Sequence, residues 1–126
     1  MANLVKFEVN QDNVAIITLN DPKRLNALSL EMLDQLHEKI KELNDGNTGA
    51  RCLVITGEGR GFCSGANLMD RAGNNSFENF NPGEALEKHY HPMLIDLKNV
   101  NIPLITAVNG PAAGAGPTAT HAHLQP

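Results

Sequence analysis

The chain predicts an α/β fold with parallel strand pairing, and three features carry that expectation: a β-rich N-terminal hairpin, one amphipathic helix after it, and two short apolar strands that each run into a glycine-rich turn. At 126 residues it holds one domain, on the usual scale of about 150 residues each. A chain of that size can bury a core without covalent staples.

The stretch Leu4 to Leu19 contains two β-rich runs separated by Asn10, Gln11, Asp12 and Asn13, side chains that favour turns, so a hairpin is expected. Asp21-Pro22 then marks a turn, and Ser29 stands where an N-cap belongs. Leu30, Leu33, Leu36, Ile40 and Leu43 follow at spacings of three and four, with Glu31, Asp34, Glu38, Lys41 and Glu42 on the other side. That is one apolar helical face and one solvated face. Asn44 to Gly49 ends the helix, and Arg51 to Gly57 (RCLVITG) reads as a strand buried on both faces. Strand, helix, strand in that order requires parallel pairing.

Gly57 to Gly65 is a glycine-dense loop, a second helix is expected from Leu68, and AGNNSFENFNPG reads as a polar mobile stretch. From Glu84 to Leu97 the apolar positions Leu86, Tyr90, Met93, Leu94 and Leu97 return to helical spacing, and Pro92 predicts a kink or a break. Ile102 to Val108 is a third buried-type strand, followed by NGPAAGAG. PTATHAHLQP carries no core stripe.

Ten Lys plus Arg against fourteen Asp plus Glu give a formal charge of −4, which argues against a nucleic-acid partner. No apolar run approaches the ~20 residues that cross a bilayer, and the first residues lack a signal-peptide pattern, so a cytoplasmic protein without a membrane partner is expected. Cys52 and Cys63 then read as free thiols.

The two glycine-rich segments share one build: a buried strand, a Gly/Ala turn, and a helix start or the place for one. Small residues let a ligand approach the main chain, and outward N–H groups at a helix N-terminus stabilise a developing anion. The same residues also permit tight packing of turns on a sheet, and the sequence leaves both roles open for either loop alone.

LNDPKRLNALS, GRGFCSGANL and IPLITAVNGPAAGAG, in this order and spacing, resemble the crotonase (enoyl-CoA hydratase/isomerase) superfamily across residues 4–116. LEKHYHPMLIDLKN and GANLMDR make the chain most similar to its 2-(1,2-epoxy-1,2-dihydrophenyl)acetyl-CoA isomerase-like branch. The resemblance implies part of a ClpP/crotonase-type spiral of ββα units that binds an acyl-CoA thioester, its carbonyl held by the backbone N–H groups of Ala66 and Ala115. CoA is then substrate, and no cofactor or metal is called for. Lys23, Arg24 and Ala27, with Ala66, Asn67, Leu68 and Met69, match family segments that contact the CoA portion. Lys23 and Arg24 could meet its phosphates as cations or serve as plain surface charge.

Two departures from the family pattern follow. The two-glutamate hydratases carry a carboxylate three residues beyond the second oxyanion donor, where this chain has Thr118. Isomerase-like relatives use an acid further downstream, so the general base is expected to be missing. The remaining ββα turns and the C-terminal helices that build homotrimers or hexamers in relatives are also not in the sequence. Residues 1–116 therefore read as the N-terminal part of an acyl-CoA-binding domain. Residues 117–126 read as an atypical disordered tail after a truncation or frameshift.

A non-catalytic acyl-CoA-binding or subunit-assembly fragment is the alternative. A hydrolase elbow centred on Cys63 has the glycine spacing but not the strand-to-helix context. The pairs His89/His91 and His121/His123 have spacings that point to different helix faces, against metal binding, and Asp70 and Glu87 read as solvated acids.

Overall fold

The computed structural model describes residues 2–65 and 86–113, excepting the side chains of Leu86 and Glu87. The expected helix from Leu68, the polar stretch after it and the 117–126 tail lie outside those residues, as do Asp70, the Glu84 end of the second helix, His121 and His123. The chain runs β1 (Val5–Val9), β2 (Val14–Leu19), a single 3-10 turn (Pro22–Arg24), α1 (Leu30–Asn44) and β3 (Cys52–Gly57). A π turn (Leu86–Tyr90), α2 (His91–Lys98) and β4 (Leu104–Ala107) complete the described elements.

The four strands form one sheet in sequence order, β1-β2-β3-β4. β1 and β2 are antiparallel, with Val5 opposite Leu19 and Val9 opposite Ala15. Asn10 closes the hairpin: its side-chain oxygen accepts from the N–H groups of Asp12 and Val14, and Asn13 takes the left-handed conformation at φ 63°. β3 joins β2 and β4 joins β3 in parallel, the pairing the strand–helix–strand order requires.

α1 begins as expected, with the Ser29 hydroxyl accepting from Met32 N–H at 3.1 Å. Its buried face is Met32, Leu33, Leu36, Ile40 and Leu43, so Met32 takes an inner place and Leu30 is only half-buried. Against it lies the inner face of the sheet: Val5, Ala15, Ile17, Leu19, Leu53, Ile55 and Leu104. Pro92 divides the second helical stretch. The π turn ends at Tyr90 and α2 starts at His91, with the proline in its first turn, where a missing N–H costs nothing. α2 adds Met93 and Leu97 to the core.

Two side-chain pairs fasten the second helical stretch to α1. His37 Nε2 lies 2.6 Å from Asp96 Oδ2, and His89 Nδ1 lies 2.8 Å from Asp34 Oδ1. Asn44 adds a bond from its amide to the Asp96 carbonyl.

One expectation needs correction. β3 and β4 are not buried on both faces: Leu53, Ile55 and Leu104 point inward, whereas Val54 is half-buried and Ile105 is 52% exposed. Among the described residues only one layer, the helices, covers the sheet, so strand alternation decides burial.

Candidate functional site

The two glycine-rich segments leave the C-terminal ends of β3 and β4, adjacent parallel strands, and therefore start side by side. Beyond the sheet they stay paired. Cys63 and Ala112 form an isolated parallel bridge. Phe62 N–H donates to the Pro111 carbonyl at 3.0 Å, and Ala113 N–H donates to the Cys63 carbonyl at 2.9 Å.

Absent side chains make the approach possible. A Cβ on Gly57 would lie 2.7 Å from the carbonyl oxygens of Gly61 and Phe62, and one on Gly110 would overlap the Arg60 carbonyl. A side chain at Gly57 would distort the first segment's own turn, and one at Gly110 would force the two loops apart.

Two asparagines hold this geometry, and sequence reasoning assigned neither. Asn26, fully buried at 0% exposure and left-handed at φ 56°, accepts from Asp21 N–H at 2.8 Å through Oδ1. Its amide donates to the carbonyls of Glu58 (3.1 Å) and Gly61 (2.9 Å). Asn109, just after β4, reaches the same loop from the second glycine segment. Its Oδ1 accepts from Gly57 N–H at 3.1 Å, and its amide donates to the carbonyls of Gly59 (2.9 Å) and Gly61 (3.3 Å). The only sequence signal for Asn26 is a polar residue inside the apolar run LNAL; for Asn109 it is the step from a strand into glycine.

The loop that carries Lys23, Arg24 and Ala27 is stitched to the first glycine segment. Ser64 N–H donates to Leu25 O at 2.9 Å, Ser64 Oγ to Arg24 O at 3.0 Å, and Leu28 N–H to Gly65 O at 2.7 Å. Lys23 and Arg24 are exposed at the rim, with an Arg24 Nη1 to Asp21 Oδ2 separation of 3.9 Å. Ala27 is buried within the loop, its N–H donating to Arg24 O, so its methyl group faces protein. Ala66, Asn67, Leu68, Met69 and Ala115 lie outside the described residues. What the structure brings together is their approach: each expected oxyanion donor stands three residues beyond a partner in the Cys63–Ala112 bridge.

Beneath the loops is an apolar cavity of about 30 Å³, lined by Leu28, Phe62 and Cys63 above and by Leu36, Met93 and Leu97 from the helices. The described part of the loops therefore rests on packed apolar core. Burial of Cys63 pushes its thiol above the usual range, only partly offset by a backbone hydrogen bond from Gly65. A protonated, enclosed thiol is a poor nucleophile, which removes the basis of the elbow reading. Cys52 and Cys63 are both unpaired. His89 is held by Asp34 and His91 is exposed, and among the described residues no three potential metal ligands cluster. No helix among those residues is long and apolar enough to cross a membrane.

Adjacent parallel strands of an α/β sheet thus deliver two paired glycine loops to one end of the molecule. The Enoyl-CoA hydratase/isomerase family profile matches residues 9–121, and the chain belongs to that family.

The 1,2-epoxyphenylacetyl-CoA isomerase of Escherichia coli K12 is 43% identical over 108 residues, covering 86% of this chain and 41% of that protein. A probable enoyl-CoA hydratase of Rhodobacter capsulatus is 38% identical over 112 residues, covering 89% and 40%. The crystal structure of an enoyl-CoA hydratase from Bacillus anthracis superimposes with a TM-score of 0.82 at 28% identity, over 96% of this chain and 45% of that one. A putative enoyl-CoA hydratase from Streptomyces coelicolor gives 0.81 at 32% identity, over 96% and 43%. The fold is thus part of the crotonase-type α/β fold, and the chain spans about two fifths of the curated relatives it matches.

Proposed function

We propose that this chain forms the oxyanion-hole part of an acyl-CoA hydratase/isomerase site and is catalytically incomplete as it stands. The observation that carries this reading is the Cys63–Ala112 bridge, which sets two strand-to-glycine segments in parallel with Ala66 and Ala115 at equal distance along the chain from it. Two N–H groups converging on a thioester oxygen polarise the carbonyl, acidify the adjacent C–H and stabilise the enolate. Loss of one such donor typically costs about 10²–10³ in rate.

Lys23 and Arg24, exposed on the loop stitched to the first donor segment, are positioned to meet CoA phosphates. Proton transfer needs a carboxylate within reach of the enolate carbon. Of the acids around the described loops, Asp21 lies beside Arg24 and Glu58 pairs with Lys6 at 3.7 Å, and Thr118 takes the place of the first hydratase glutamate. Two unpaired thiols suit a reducing compartment such as the cytoplasm.

Calorimetric titration with crotonyl-CoA, run beside an absorbance assay for loss of its conjugated double bond, tests both halves. Saturable binding with no turnover above the buffer rate is expected. Turnover overturns the incompleteness, and a flat titration overturns the acyl-CoA assignment.

A further inference from the structure

We propose that Asn109 is a positioning residue that fixes the spacing of the two donor segments; this rests on the oxyanion-hole reading above. Asn109 is the side chain that starts on the second glycine segment and holds the first. Its one amide group engages three backbone groups of Gly57, Gly59 and Gly61, as acceptor to an N–H and donor to two carbonyls. The Gly61 carbonyl is shared with Asn26, whose amide donates to it at 2.9 Å. The 57–61 loop is therefore held by a buried clamp on the segment between β2 and α1 and by a clamp on the segment after β4.

From Gly61 the chain has two residues to the Cys63–Ala112 bridge. A shift of the loop is passed to that bridge through Phe62 N–H, which bonds Pro111, two residues past Asn109. Asn109 thus closes a short ring of backbone and hydrogen bonds through both loops. The ring has few soft dihedrals, and opening it at Asn109 leaves the bridge bonds of Phe62 and Ala113 to hold the loops at this end of the sheet, which weakens them.

The two asparagines divide the labour in a way that makes the inference testable. Asn26 is fully buried, so its loss falls on stability first. Asn109 is on the exposed side of the molecule, so its removal leaves the core intact. Asn109→Ala deletes all three bonds. Asn109→Asp keeps the acceptor for Gly57 N–H but sets a carboxylate against the carbonyls of Gly59 and Gly61.

Amide hydrogen exchange on the full chain decides the matter without a ligand. If Asn109 sets the spacing, Asn109→Ala and Asn109→Asp both speed exchange at the cross-loop amides of Phe62 and Ala113, by roughly tenfold, while core amides of α1 keep their protection. Acceleration at Gly57 alone in the alanine variant, with Phe62 and Ala113 unchanged, overturns the inference.

A second measurement connects the clamp to the site. Cinnamoyl-CoA, isotope-labelled at its thioester carbonyl, is bound to wild type and Asn109→Ala, and the carbonyl stretch is read by difference infrared spectroscopy. The expected result is a lowered stretch in wild type that returns toward the free value in the variant, with affinity changed by less than about threefold. An unchanged stretch in the variant overturns the positioning role. A wild-type complex with no lowered stretch removes the oxyanion-hole reading instead, and the exchange experiment still judges the clamp.

Discussion

Asn26 shows how one residue can decide whether a loop is a site or a tangle. Its side chain satisfies Asp21 N–H and the Glu58 and Gly61 carbonyls, groups with no strand or helix to pair them, from a fully buried position. Removing it takes the side-chain partner from the part-buried Asp21 N–H and Glu58 carbonyl, each worth about 1–3 kcal/mol when orphaned, and leaves the Gly61 carbonyl to Asn109 alone, though small movements admit water to part of the gap. Asn26→Ala should therefore lower stability by about 2–4 kcal/mol, read as a shift of the urea midpoint. Asn26→Asp, nearly the same shape, should be at least as damaging, because it turns a donor aimed at two carbonyls into a third acceptor beside them. If the aspartate variant is instead as stable as wild type, the hydrogen bonds are incidental to the loop. None of this was legible beforehand. Asn26 and Gly61 are 35 positions apart, and their contact exists only once the strands have brought the two loops together.

At the scale of elements, legibility followed periodicity. The stripe from Leu30 to Leu43 and the cap at Ser29 located α1 because helix geometry is local, and the polar run Asn10 to Asn13 located the hairpin for the same reason. Met32 escaped the stripe because the buried face is wider than one row of positions and turns toward the sheet as well as α2. The exposed outer side of β3 and β4 was misjudged for a different reason: an apolar run says a strand is compatible with burial, and only the layers present decide whether it is covered. The matched build of the two glycine loops after parallel strands could be read from the sequence, and the structure pairs those loops at Cys63 and Ala112, whereas the clamps holding them could not be read. The cap gives the element-scale test. Ser29→Ala should cost about 1 kcal/mol by thermal unfolding, and Ser29→Thr should recover most of it, because only a side-chain oxygen at that position accepts from Met32 N–H. Equal losses in both variants would show that the buried setting of Ser29, not the cap, governs its contribution.

At the scale of the whole molecule the register produces two unlike sheet faces. On one, rows such as Val9–Ala15–Leu53–Leu104 pack beneath the helices. On the other, the rows Glu8–Ile16–Val54–Ile105 and Lys6–Thr18–Thr56–Ala107 run from charge at β1 to apolar surface at β4. Among the described residues Ile105 is 52% exposed at this apolar end, on the last strand of the sheet, and Val108, just past β4, is 52% exposed as well. An apolar patch next to a strand edge that no described residue pairs is the arrangement that charged residues ordinarily guard against, and here the charges on this face, Lys6 and Glu8, stand on β1 at the opposite edge. Concentration-dependent association of the chain follows from that asymmetry. Ile105→Lys puts a charge where the patch meets the edge and touches nothing in the core, since Ile105 points away from α1. Sedimentation velocity over a range of concentrations should show association in wild type that Ile105→Lys reduces, with the circular dichroism spectra superimposable. Persistence of the same association in the lysine variant would place its cause elsewhere, with Ile95, 58% exposed on α2, the next position to test.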